Sequence, residues 1–233
     1  MEPDRKLYFL IRNSLEVLCR VNNRLEVSGE ENIPAEGGAL ICPRHENHSD
    51  PFFVGAAVRS RVLHFLAWHG IGEMPLLGPL FKRIGVMHSI NESYGVATDK
   101  DEARQVLGSL EALLRAGELC VIFPEGTINH WIGTGGVKDF KPGAVRLSAR
   151  AGVPIIPVGM AGTRWVVANV INFHDWGGPD VSLWFPTMLP VKVRVRFGEP
   201  FHVAPEAATD KDIAAAETLR LRGQIVNIVA SLK

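Results

Sequence analysis

The chain has 233 residues, 46% hydrophobic and 21% charged, which is enough apolar material for one large core and too much for global disorder. Its 25 Lys and Arg balance 25 Asp and Glu, which excludes the basic surplus of a general nucleic-acid binder. Three cysteines, Cys19, Cys42 and Cys120, show no CxxC spacing. Neither a disulfide framework nor a zinc cluster is expected, and they read as core thiols of a reducing compartment.

The predicted elements begin with a helix over residues 5–21, where Leu7, Leu10, Ile11, Leu15, Leu18 and Val21 recur at three- and four-residue steps. Arg5, Lys6, Arg12, Arg20 and Arg24 lie among or just beyond them. Such a stripe suits the surface of an anionic membrane and equally suits docking on a core. No small-residue cleavage site follows, so no secretory signal is expected. Strands are predicted at 25–27 and 39–42. A helix follows at 51–58, with Asp50 as its N-cap and Pro51 in its first turn. The apolar run 52–71 is too interrupted, by Arg59, Arg61, His64 and His69, to read as a membrane span.

Further along, 62–68 reads as a strand, 75–84 as a short helix and 86–90 as a strand. Residues 99–116 form the clearest central helix, with Val106, Leu110, Leu113 and Leu114 inward. Strands at 119–123 and 154–159 flank a helix at 144–151. The alternation Val-Lys-Val-Arg-Val-Arg-Phe at 191–197 predicts a strand with one wet face. An amphipathic helix at 209–232 closes the chain. Residues 129–136 and 175–190 are loop-like. Alternation of this kind predicts an α/β fold, a single mixed, largely parallel sheet flanked by helices. The organisation expected is an N-terminal amphipathic helix, 1–24, and one domain, 25–233.

Three segments carry chemistry. In Pro43-Arg44-His45-Glu46-Asn47-His48-Ser49-Asp50-Pro51, His45 and Asp50 are five apart across a strand-to-helix turn. That spacing lets the carboxylate fold back to one imidazole nitrogen and leaves the other as a general base. In Phe123-Pro124-Glu125-Gly126-Thr127, an acid and a glycine follow a buried strand, at the edge where open α/β sheets place ligands. A Lys141-Pro142-Gly143 turn enters the next helix, a feature that reads first as structural.

Together and in this order, His-x4-Asp, Pro-Leu-Leu-Gly, Phe-Pro-Glu-Gly-Thr and Val-Pro-Ile-Ile-Pro-Val resemble the PlsC-like glycerolipid acyltransferases, from about Val27 to Val158. The resemblance implies transfer of a fatty acyl group from acyl-CoA or acyl carrier protein to a hydroxyl, occasionally an amine, in lipid metabolism and phospholipid biosynthesis. It implies no metal and no cofactor beyond the acyl donor. His45 would take the acceptor's proton and Asp50 would orient the imidazolium, with the substrate hydroxyl in the place of a triad serine. Glu125, Gly126 and Thr127 match the acceptor-side motif. His48 lacks an Asp at the same spacing and reads as a supporting histidine. His88 and His130 lie in altered motif regions.

Five positions depart from the family: Arg44 precedes the histidine where an asparagine is frequent, Asn47 stands where a serine is usual, and three cations are replaced. Ile128 stands where an arginine usually follows Phe-Pro-Glu-Gly-Thr, Asn91 where the second block carries its arginine, and Trp68 where a lysine is common. Guanidinium groups match phosphate bidentately, so their loss predicts an acceptor that is not a simple phosphate monoester. The first alternative is a 1-acylglycerol-3-phosphate acyltransferase whose phosphate site is rebuilt from Arg44, Lys82, Arg83, Lys141 or Arg164. The second is an inactive acyl-chain or carrier-protein binding module. Peripheral contact with the membrane, on its cytoplasmic inner face, is expected in the active readings.

Overall fold

The computed structural model describes residues 4–68, 77–84, 87–90, 92–93, 96–97, 100–128, 136–166, 169–173, 181–184 and 188–232. The helices are α1 (Arg5–Asn23), α2 (Asp50–Ala57), α3 (Leu77–Ile84), α4 (Lys100–Arg115), α5 (Gly143–Ala151) and α6 (Lys211–Ser231). The strands are β1 (Glu26–Ser28), β2 (Ala39–Pro43), β3 (Leu63–Trp68), β4 (Met87–Ile90), β5 (Glu92–Ser93), β6 (Val96–Ala97), β7 (Leu119–Val121), β8 (Ile155–Ala161), β9 (Asn169–Phe173), β10 (Val181–Trp184) and β11 (Arg194–Phe197).

Seven strands form one sheet in the order β1-β11-β8-β2-β7-β3-β4. The pairs from β8 to β4 are parallel, and β11 runs antiparallel to β8. The sheet is therefore mixed and largely parallel, as the alternation of elements predicts. Two small antiparallel pairs, β9–β10 and β5–β6, stand outside it. The first places a strand, Val181–Trp184, inside the stretch expected to be loop. Residues 129–135, within the other expected loop, lie outside the described residues.

Both faces of the sheet are covered, which is why its central strands read as unbroken apolar runs. On one face Ile41, Leu119, Val121, Ile156 and Val158 pack with Cys19 of α1 and Phe53 and Val54 of α2. On the other, Leu40, Cys42 and Cys120 pack with Leu110 and Leu114 of α4, Leu147 of α5, and Leu221, Ile225 and Val229 of α6. Burying each such side chain stabilises the fold by about 1.5–3 kcal/mol. All three cysteines are buried free thiols.

Helix α1 has a docked side and an exposed side. Inward, the Tyr8 hydroxyl accepts the Leu63 N–H (3.1 Å), and buried Arg12 donates to the carbonyls of Val58 (3.0 Å) and Ala56 (2.7 Å). Outward, Leu10, Val17, Leu18 and Val21 are exposed, Val21 by 78%. Among the described residues no helix is long and apolar enough to cross a membrane.

Candidate active site

The site forms because β2 and β7 are parallel neighbours, with Ile41 opposite Val121. The loops leaving their carboxyl ends emerge side by side at the same edge of the sheet. The connections from these two strands leave to opposite faces of the sheet, α2 packing on one face and α5 on the other. The resulting crevice is where open α/β sheets bind ligands. His45 follows β2 and Glu125 follows β7, so residues 80 apart in sequence meet.

His45 Nδ1 lies 3.0 Å from Asp50 Oδ2. The same oxygen accepts the N–H groups of Glu46 (2.6 Å) and Asn47 (2.7 Å). With Oδ2 also accepting two amide N–H groups, the arrangement suits the Nδ1–H tautomer of the neutral imidazole, in which Nε2 carries the lone pair. Asp50 is fully buried and begins α2, where the helix N-terminus favours a negative charge. It does not cap that helix as the sequence suggests. Ser49 occupies the N-cap position, because the two loop amides draw the Asp50 carboxylate back toward His45. The imidazole stacks on Phe123, with ring centroids 4.1 Å apart, and its side chain is 14% exposed. Sequence reasoning missed Phe123, whose only signal is its place two residues before Glu125.

Glu125 is buried and binds backbone on both sides. The His45 N–H donates to Oε1 (2.7 Å) and the Lys138 N–H to Oε2 (3.1 Å). Burial pushes its carboxyl up, while those two hydrogen bonds and the positive fields of His45 and Arg44 hold the shift back. Arg44 is also buried and pairs with Glu46 (2.8 Å). Burial raises the Glu46 carboxyl, with Arg44 and Arg164 opposing and Asp50 and Glu125 reinforcing. The structure thus gives Arg44 and Glu125, both expected to meet substrate, partners inside the protein.

Gly126 takes a left-handed backbone, φ 69°, and a Cβ there would lie 2.8 Å from Lys141 Nζ. Glycine spares the turn that strain and lets the lysine lie over it. Lys138, which the sequence did not single out, reaches the same turn. Its ammonium donates to the Ile128 carbonyl (2.9 Å) and to Thr127 Oγ1 (3.3 Å). The Arg164 guanidinium lies over the Trp165 ring, 5.5 Å from its centroid, and the Arg164 carbonyl accepts from Asn47 Nδ2. Asn91 and His130 lie outside the described residues, as do the side chains of Trp68, Lys82 and His88. His48 is half-buried in the His45 loop.

The acyltransferase family model matches residues 24–161. A 1-acyl-sn-glycerol-3-phosphate acyltransferase of Bacillus subtilis is 25% identical over 67% of this chain and 72% of its own length. An uncharacterized protein of Mycobacterium leprae is 28% identical over 87% of this chain. The chain spans 58% of that relative's length. The crystal structure of PlsC from Thermotoga maritima, described as a 1-acyl-sn-glycerophosphate acyltransferase, superposes with a TM-score of 0.67. That match covers all of this chain and 83% of the other, at 18% identity, and shows the shared fold.

Proposed function

The chain belongs to the acyltransferase family, and on that premise we propose that it moves a fatty acyl group from a thioester to a hydroxyl. The observation that carries the reading is the His45–Asp50 pair at 3.0 Å, with Nε2 left as the base. Nε2 takes the acceptor's proton as its oxygen attacks the thioester carbonyl. Asp50 stabilises the imidazolium that forms, and the tetrahedral oxyanion then collapses with cleavage of the C–S bond. The departing thiolate takes the proton back from His45. The products are an ester and free CoA or acyl carrier protein, and an amine acceptor would give an amide by the same steps.

Two acceptor classes compete. Loss of cations at 68, 91 and 128 argues for a headgroup that is not a simple phosphate monoester. Lys138 supports the other reading, a 1-acylglycerol-3-phosphate acyltransferase with a rebuilt phosphate site. It sets an ammonium 2.9 Å from the Ile128 carbonyl, beside the position where the family's arginine would stand. Names carried by relatives such as the Bacillus subtilis protein agree with this second reading.

The outward stripe of α1, flanked by Arg20 and Arg24, suits an anionic bilayer on its cytoplasmic side, where a lipid acceptor would be met. The test offers labelled acyl-CoA and acyl carrier protein with lysophosphatidate, glycerol 3-phosphate, a neutral-headgroup lysolipid and an amine, and reads products by mass spectrometry. An acylated product that disappears in folded His45→Ala is expected. A product that persists in that variant refutes the mechanism, and no product with any acceptor leaves a silent binding module.

A further inference from the structure

We infer that Arg222, on the C-terminal helix outside the family-matched residues 24–161, is a positioning residue for the His45 loop; this rests on the reading of His45 as the base. Its guanidinium donates to two successive carbonyls, from Nε to Lys138 (2.8 Å) and from Nη2 to Val137 (2.7 Å). The segment they belong to is irregular and, among the described residues, has no strand partner. A planar fork suits two adjacent carbonyls in a way that a single ammonium does not.

The contacts are continuous. Leu221, next to Arg222, is fully buried, and Ile225 and Val229 with it fix α6 on the sheet in the same cluster as Val137. With its carbonyl held by Arg222, Lys138 keeps its N–H at one oxygen of Glu125, whose other oxygen holds the His45 N–H. The same segment carries the Lys138 ammonium to Thr127 and Ile128. One side chain on α6 therefore sets the backbone on which both the base and the nearest motif cation depend. Its ion pair with Asp139, at 3.5 Å, has a partner that is 98% exposed and contributes little.

The test compares Arg222→Ala and Arg222→Lys with the unaltered chain, by steady-state kinetics, thermal melting and hydrogen exchange of the peptide holding His45. Arg222→Ala is expected to lower kcat roughly 10–100-fold with KM within about threefold, a misplacement effect. Ethylguanidinium is expected to restore at least about fivefold of that loss. The His45 peptide should exchange about tenfold faster, and Arg222→Lys should fall between. An unchanged kcat and unchanged exchange in Arg222→Ala overturn the inference. So does a loss of activity that follows a collapse in melting temperature and resists guanidinium. Full activity in His45→Ala would instead overturn the underlying reading, while the exchange measurement still reports on the Arg222 contact.

Discussion

Replacing Asp50 separates its catalytic from its structural work. Oδ2 accepts two buried amides and lies 3.0 Å from His45 Nδ1, and the residue is fully buried. Asp50→Ala leaves the Glu46 and Asn47 amides without an acceptor, at about 1–3 kcal/mol each. It also removes a charge from the first turn of α2, worth about 0.3–1 kcal/mol. The sum, roughly 2–7 kcal/mol, is a large part of a typical stability of about 5–15 kcal/mol. At about 2–4 °C per kcal/mol for a chain of this size, the melting temperature should drop by roughly 5–28 °C. Asp50→Asn keeps an oxygen for the amides. Its NH2 then falls at the Oδ1 position, which has no hydrogen-bond partner among the described residues, so the cost is about 1–3 kcal/mol. A neutral amide no longer stabilises the imidazolium, and turnover should fall about 10²–10⁴-fold. Released thiol, measured beside calorimetric melts, follows both effects. Asp50→Asn working within threefold of the unaltered chain would refute the mechanism, and Asp50→Ala melting with it would refute the hydrogen-bond assignment.

Lys138→Met should lower kcat/KM for lysophosphatidate roughly 10–150-fold, the loss of one charge-assisted contact, while a neutral-headgroup acceptor stays within about threefold. Equal losses on both would show that the ammonium serves the turn rather than a phosphate. Leu10, Val17 and Val21 changed together to Gln should weaken co-sedimentation with anionic liposomes at least about tenfold, with melting within about 2 °C, because all three are exposed; undiminished sedimentation makes the stripe irrelevant to membranes. Deleting α1 is a poorer test, since Tyr8, Arg12 and Cys19 would leave the core with it. Glu16 gives a pH signature. Burial pushes its carboxyl up, but hydrogen bonds from Arg20, Arg12 and Arg59 outweigh that and hold it at about 2, below the ordinary 4.5. With the folded value lowered, the cluster's stabilisation is complete above about 4.5 and fades as pH falls toward 2. The melting gap between the unaltered chain and Glu16→Gln should close over that interval, and a gap independent of pH would contradict the ion cluster.

What the sequence alone determined lies within short stretches of chain. Apolar period sets the helices and the strands of the main sheet to within a few residues, as at Arg5–Asn23 and Lys100–Arg115, because burial of one face acts over neighbouring turns, while the four strands of the two small antiparallel pairs gave no such signal. The His45–Asp50 pair was equally legible, since five residues across one turn bring the two side chains together whatever surrounds them. The tertiary structure decided everything that depends on which strands are neighbours. Placing β7 beside β2 makes Glu125, expected from its motif to meet substrate, a clamp on the backbone of His45 and Lys138 as well. It decided that a lysine ten residues downstream reaches the Ile128 carbonyl, that Arg44 is buried against Glu46, and that Arg222 supports the loop from the far end of the chain. Long-range hydrogen bonds leave no periodic trace in a sequence: any charged or polar residue at a sheet edge is a candidate, and only the packing of α6, β2 and β7 selects the partners that meet.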